Sequence, residues 1–600
     1  MKINLAIISL FLTGVIFLIS FPHQAFAANN FNTDYHVTYT IDQNGMAHAV
    51  VNGTLANTTS QYYATSYTIQ LGFDTISNVK AQDTGGPITP QVSKNSSGYI
   101  IALHFNSQAL GLGNKQQFTI TFDTPTLAHH YGRIWEIDIP GISNPQDFST
   151  FVVELKTPPS FGQPAYIKPQ EAGNDLVFDK QTLGKSGISL AYGNTQVYNF
   201  HLIYHLRNTN LYPSTTQIAL PPSTNYQDVS ITNIDPQPSN VVEDKDGNWL
   251  AQYHLSSIQS MDVNVSGNVV IHLTPKEDPM TPEQLSDYIK PQEYWESNNP
   301  EIAQLANQLQ TPQAIYTYVS NKLHYDFSRV TSNKPRLGAV GALQDPNSAV
   351  CLEFTDLFIA IARAAHIPAR EVDGFAYTDN PQQRPISQEK DVLHVWPEYY
   401  NSQKQTWIMV DPTWGSTTGG VDYFNTLDFD HFAFDIRGES SVYPIPAGGY
   451  NYTSTPVSKD IQVEFSTTVP SETPVFSLDS TIPAVTIAGL PITGNVVIKN
   501  NGSTYVPSQI LYLMTNQLTP QTQTLETSGV PPFGYLDVPV SFNSTNPLID
   551  TQANYTIKIA GISKQEQTES KLFFLTPVGI SVVIFVLIFI VGIGILQKRR

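Results

Sequence analysis

Cys351, His394 and Asp411 are the side chains of this sequence best suited to covalent chemistry. A thiolate can attack a carbonyl carbon, an imidazole can hold and deliver the proton, and a carboxylate can fix the ring tautomer. Cys351 is the one cysteine in 600 residues. An internal disulfide and a multi-cysteine metal site are therefore excluded as reasons for its presence. A buried inert thiol is the plain alternative, and the residues around Cys351 decide between the two.

Cys351 opens a helix. Val350, Phe354, Leu357, Phe358, Ile361 and Ala365 recur at a 3.6-residue period and form an apolar stripe. The predicted helix stops before Ile367-Pro368. Cys351 lies off the stripe in the first turn, where unpaired backbone N–H groups favour a thiolate. The stripe itself is ordinary core. Glu353 is predicted to serve the helix N-terminus.

Three strands follow, over Ala369 to Tyr377, Leu393 to Tyr400 and Thr406 to Val410. Asn401-Ser402-Gln403-Lys404 reads as the loop of a hairpin between the last two. Pairing Tyr400 with Gln405 sets Trp396 against Met409 and His394 against Asp411. Facing side chains sit about 5 Å apart, within reach of an imidazole–carboxylate hydrogen bond. Pro397 cannot donate to the ladder and is a place for a bulge. Helix-start N–H groups could hold an oxyanion, and Tyr325 and Gln344 are candidate side-chain donors. Before the cysteine helix, Asn299-Pro300 and Thr311-Pro312 each offer a cap followed by proline at the first helical position. The stretch from Phe327 to Ala349 reads as a loop.

The ends of the chain set the expected compartment. Lys2, the apolar stretch Ile3 to Ile19 and Ala25-Phe26-Ala27 describe a signal peptide over residues 1–27. Residues 572–596 are apolar and uncharged, long enough to cross a bilayer, and Lys598-Arg599-Arg600 follow. Basic residues stay inside, so the bulk of the chain is expected outside a cell membrane, with a cytoplasmic tail at 597–600. Charged residues are 14% and the net charge is −19, which argues against nucleic acid. Hydrophobic residues at 41% and aromatics at 11% suffice for sizeable cores.

The remainder alternates with the period of β-strands. His36 to Ile41, Phe118 to Phe122, Phe200 to Leu206 and Val496 to Lys499 are the clearest segments. We predict a β-sandwich-like domain over 28–160, a second β-rich domain over 161–278, the chemical domain over 279–440 and a third β-sandwich-like domain over 460–565.

Four motifs then stand in order: Val350-Cys351-x-Glu353-Phe354, Ala364-Ala365-His366-Ile367-Pro368-Ala369-Arg370, His394-Val395-Trp396-Pro397-Glu398 and Trp407-x-x-Val410-Asp411-Pro412-Thr413. Together they resemble the transglutaminase-like superfamily of papain-like thiol enzymes, over roughly Gln310 to Gly438. The resemblance implies an α+β core in which the cysteine helix packs on an antiparallel sheet bearing the histidine and the aspartate. It carries catalytic roles to Cys351, His394 and Asp411. Ala349 replaces the glycine often found before the Val-Cys pair, and Val395 replaces the usual small residue after the histidine.

Other candidates carry less. His129, His130 and His431 read as satisfied loop or core residues. Asp422, Asp428 and Asp430 do not have EF-hand spacing and read as solvated loop charge. Trp396 and Trp414 either wall a cleft or pack the core. No cofactor and no metal is expected. Three functions remain open: an ectoenzyme acting on peptide or protein amide bonds by hydrolysis or transfer to an amine, an inactive cell-surface binding or adhesion protein, and a structural surface component.

Overall fold

A computed structural model describes residues 30–169, 175–330, 335–386, 393–450, 460–470, 475–544, 548–572 and 577–598. The signal peptide predicted over 1–27 lies outside these residues. The described chain is a core of helices on a sheet with many further β-sheets before and after it.

Alternation of apolar residues builds the sheets. In Phe31–Ile41, Tyr35, Val37, Tyr39 and Ile41 face inward while their neighbours face out. This strand runs parallel to Thr150–Lys156 and antiparallel to Ala47–Asn57 in a seven-stranded sheet. The core under it gathers Tyr35, Phe118, Phe122, Phe178, Leu190 and Tyr192. Strands Pro164–Lys168, Val177–Asp179 and Ile188–Tyr192 therefore belong with this first unit, beyond the boundary expected at 160.

Gln196–Arg207 then buries Phe200, Leu202, Tyr204 and Leu206 on one face, as their spacing predicts. Its neighbours are Ser260–Ile271 on one side and Ile461–Ser466 on the other. That last strand was expected in the final β domain; hydrogen bonding across some 260 residues places it here. The final unit, Phe476 to Lys571, packs Leu511, Leu513, Phe542, Tyr555 and Ile557 between two sheets.

The central region begins with the helices Pro300–Leu309 and Pro312–Lys322. Asn299 accepts from the N–H of Glu301, and Thr311 from that of Ala314. The stretch expected as loop contains a short helix, Gly338–Gln344. The cysteine helix, Cys351–Ala364, ends as predicted: His366 takes a φ of 59°, and Ile367 N–H returns to Ala362 O at 2.9 Å. It is buried on nearly every side. Phe354, Leu357 and Phe358 are fully covered, each worth roughly 1.5–3 kcal/mol of burial.

A four-stranded antiparallel sheet underlies it, in the order Thr406–Met409, Leu393–Asn401, Ala369–Ala376, His431–Arg437. On His431–Arg437, Phe432 and Phe434 turn to the core of the preceding β unit, and Ala433 turns to the cysteine helix. The sheet is buried on both faces, and charges on its strands are paired within it, Arg370 with Glu398 and Arg437 with Glu371.

The last described helix, Pro577–Lys598, has 22 residues and is apolar and exposed along its length. At 1.5 Å per residue it is about 33 Å long, enough for a hydrocarbon layer of about 30 Å.

Candidate active site

Cys351 is the first residue of its helix and is fully buried. Glu353 does what its position predicts. Its Oε2 accepts the N–H of Val350 and its Oε1 that of Leu337, each at 2.9 Å, while Arg329 Nη1 lies 3.3 Å away. One turn beyond Cys351, Thr355 donates its hydroxyl to Val395 O at 3.2 Å. Residues i and i+4 share a helix face. The cysteine helix thus meets the sheet beside Val395, the neighbour of His394.

His394 Nε2 donates to Asp411 Oδ2 at 3.0 Å, and both residues are fully buried. His394 Nδ1 has no hydrogen-bond partner among the described residues. The ring is held by stacking on Trp414, with centroids 5.0 Å apart and planes 22° apart. Trp414 in turn donates its Nε1–H to Pro385 O at 3.0 Å. Trp396 spends its N–H on Met409 Sδ at 3.2 Å. Both tryptophans are core residues that also wall the imidazole.

The contact arises by a different register from the one predicted. Tyr400 pairs with Trp407 and Glu398 with Met409, with Ser402 to Gln405 in the loop. Asn401 Oδ1 accepts the N–H groups of Gln403 and Lys404, and Gln405 takes a φ of 48°. That turn shifts the pairing by two residues. Side chains alternate with period two, so such a shift keeps His394 and Asp411 on one face. Asp411 is not on the sheet. It caps the helix Pro412–Thr417, its Oδ1 accepting from Thr413 N–H at 2.8 Å and Trp414 N–H at 3.1 Å.

Electrostatics follow from burial. Burial lowers the His394 pKa from its ordinary value, and the adjacent Asp411 only partly offsets this. Burial would raise Asp411, but His394 and then His431 more than reverse it, holding the carboxyl well below the usual range. Burial raises the phenol of Tyr325, and the charges of Cys351, Glu353 and Asp411 raise it further. Tyr325 therefore stays an O–H donor, in a place that senses both the thiol and Asp411. Gln344 is solvent-exposed at the end of its helix and is not brought to the site.

His431, expected from the sequence to be a satisfied loop or core residue, lies beside the pair. Its Nδ1 lies 2.7 Å from Asp428 Oδ1, and its Nε2 3.6 Å from Asp411 Oδ2, the oxygen that His394 uses. The two imidazole centroids are 5.6 Å apart. Asp428 and Asp430 are buried rather than solvated as expected, whereas Asp422 accepts from the N–H groups of Phe424 and Asn425 in its own loop. The only available signal was the run Asp428-x-Asp430-His431 ahead of an apolar strand. One donor atom each from His394, Asp411 and His431 lies within 4.8 Å of the others.

Gly374 lies on the strand between those of His394 and His431. It pairs with His394 on one side and Ala433 on the other. A Cβ there would lie 2.2 Å from Phe432 O and 2.7 Å from the Trp396 ring. Gly374→Ala should destabilise the domain by about 1–3 kcal/mol, read as a lowered urea midpoint. An unchanged midpoint would show that the sheet gives way freely.

The sequence pattern of the transglutaminase-like superfamily matches residues 298–412, a stretch that holds Cys351, His394 and Asp411. The central domain is transglutaminase-like. A protein-glutamine gamma-glutamyltransferase of Pseudomonas aeruginosa is 31% identical over 124 residues, covering 19% of this chain. The match spans 18% of that relative's length. Among solved structures, the periplasmic domain of TgpA from Pseudomonas aeruginosa shares 17% identity at a TM-score of 0.22. That likeness covers 37% of this chain and 91% of the other. A CARDB domain from Pyrococcus furiosus shares 13% identity at a TM-score of 0.15, over 17% of this chain and 99% of its own. The matched stretch of the transglutaminase-like domain ends at residue 412 and so leaves out His431.

Proposed function

We propose that the chain is a membrane-anchored ectoenzyme that opens amide bonds of peptides or proteins through a thioacyl intermediate. Cys351 Sγ bonds to the carbonyl carbon, the C–N bond breaks, and His394 gives its proton to the departing amine. Water or a second amine then attacks, the S–C bond breaks, and His394 takes the proton of the attacking group. Asp411 fixes the ring tautomer, and Tyr325 together with helix-start N–H groups faces the oxyanion. The observation that carries this reading is His394, locked to Asp411 through Nε2 with Nδ1 left over beside the cysteine helix.

In this reading the apolar helix Pro577–Lys598 is the anchor, with the bulk of the chain outside, the basic end inside and the flanking sheets forming sandwich-like spacers. The amide named in the Pseudomonas relative, that of protein glutamine, is the first substrate to test. The segment ending at Ile386 borders the site: Pro385 O accepts from Trp414 Nε1–H and Ile386 O from the Tyr325 hydroxyl.

Iodoacetamide tests the mechanism, since the chain's one thiol is its only alkylation site of this kind. At pH 6 the wild type should label about 10²-fold faster than His394→Ala, because His394 is the base that takes the thiol proton there. Equal rates would remove the mechanism. Mass spectrometry after incubation with cell-surface protein and a primary amine then separates transfer, which gives amine adducts, from hydrolysis, which gives new termini.

A further inference from the structure

We propose that His431 is a positioning residue of this site: it stands beside the same Asp411 oxygen that His394 uses, and Lys168 of the first β unit braces it through Asp428. This rests on the function proposed above and adds to it a second imidazole and a second structural unit.

The ring stands between two carboxylates, one toward each nitrogen. Asp428 Oδ1 stands 2.7 Å from Nδ1, and Asp411 Oδ2 stands 3.6 Å from Nε2. A neutral imidazole would turn a bare lone pair toward one of these carboxylates. With a proton on each nitrogen, both contacts become attractive. Consistently, burial would lower the His431 pKa, but Asp428 and Asp411 raise it to about 9. His431 and Asp411 are buried to 2% exposure or less, which shields both from bulk solvent.

Lys168 completes the arrangement from outside the transglutaminase-like domain. It is 2% exposed, and its Nζ lies 4.0 Å from Asp428 Oδ2, 3.8 Å from the centroid of Tyr423 and 4.9 Å from that of Tyr166. A buried ammonium in that setting anchors the far oxygen of Asp428, whose near oxygen holds His431. The line of contact runs Lys168, Asp428, His431, Asp411, His394. Arg384 also acts on Asp428, and Asp430 lies beside it as a carboxyl driven well above its ordinary pKa by burial.

The consequence for chemistry has a sign. A fixed positive charge near His394 weakens its hold on a proton, which makes it a better acid toward a leaving amine. The same charge favours the Cys351 thiolate. Removing it raises both pKa values, so the reactivity profile moves as a whole to higher pH.

The test is iodoacetamide alkylation of the full chain in detergent from pH 4 to 9.5. His431→Gln keeps an N–H for Asp411 but carries no charge. It should shift the acidic midpoint upward by about one unit, which slows labelling about tenfold on the acidic limb with the plateau rate kept. Lys168→Met, which leaves both histidines in place, should shift the midpoint the same way by a smaller amount, and it serves where His431→Gln fails to fold. Unmoved midpoints in the folded variants, with His394→Ala still slow, would overturn this inference and leave the proposed function standing. A His394→Ala chain that labels like wild type would overturn the proposed function itself.

Discussion

Asp411→Asn should lower acylation of the thiol by roughly 10³–10⁴ while leaving the fold in place. Asparagine caps helices as well as aspartate does, so the N–H groups of Thr413 and Trp414 keep their acceptor. What changes is the other side-chain atom. Oδ2 now accepts from His394 Nε2–H; an amide NH₂ there would donate instead. The imidazole must then move its proton to Nδ1, the atom that has no hydrogen-bond partner among the described residues and that the mechanism needs free to take up the thiol proton. The ring stays stacked on Trp414 in the wrong tautomer. Release of nitrophenol from p-nitrophenyl acetate measures acylation, and an unchanged far-ultraviolet spectrum reports the fold. A loss smaller than about tenfold would mean that Asp411 is only a helix cap.

Arg336→Met should destabilise the transglutaminase-like domain by about 3–5 kcal/mol. Arg336 donates to both carboxylate oxygens of Asp356, in the middle of the cysteine helix, and to Glu371 on the adjoining strand. Arg437 meets Glu371 at 2.9 Å and Asp373 at 3.2 Å, and Trp295 donates to Asp356 at 3.0 Å. Burial would raise the Glu371 pKa, but Arg336 and then Arg437 hold it below its ordinary value. Removal of one guanidinium leaves acidic groups in a dry interior, and that desolvation makes the loss large. Trp295, Trp396, Trp407 and Trp414 are four of the six tryptophans, so urea unfolding followed by fluorescence reports chiefly on this domain. Lys245, exposed and paired with Glu439, is the control, and its replacement by Met should not move the transition. If Arg336→Met also leaves it in place, the buried network does not hold the helix to the sheet.

The sequence by itself determined what depends on neighbours in the chain. The cysteine at a helix start, the stripe from Val350 to Ala365, the caps at Asn299 and Thr311 and the role of Glu353 all follow from 3.6-residue periodicity and from backbone groups a few positions away. The alternation of Phe200 to Leu206 is equally local. Even the contact of His394 with Asp411 was reachable, because a hairpin turned by four residues keeps facing residues close whichever of two registers it takes.

Tertiary structure decided the rest, and the reason is distance along the chain. Nothing near Ile461 shows that it will pair beside Leu202, and nothing near Phe178 shows that it closes the core built on Tyr35. His431 reads locally as one more polar residue at a strand start. It joins the site because its strand pairs beside Ala369–Ala376, which carries it next to the strand of His394. Lys168 reaches Asp428 from a strand 260 residues earlier. Such contacts are selected by burial and charge pairing once the units pack, so no local pattern records them.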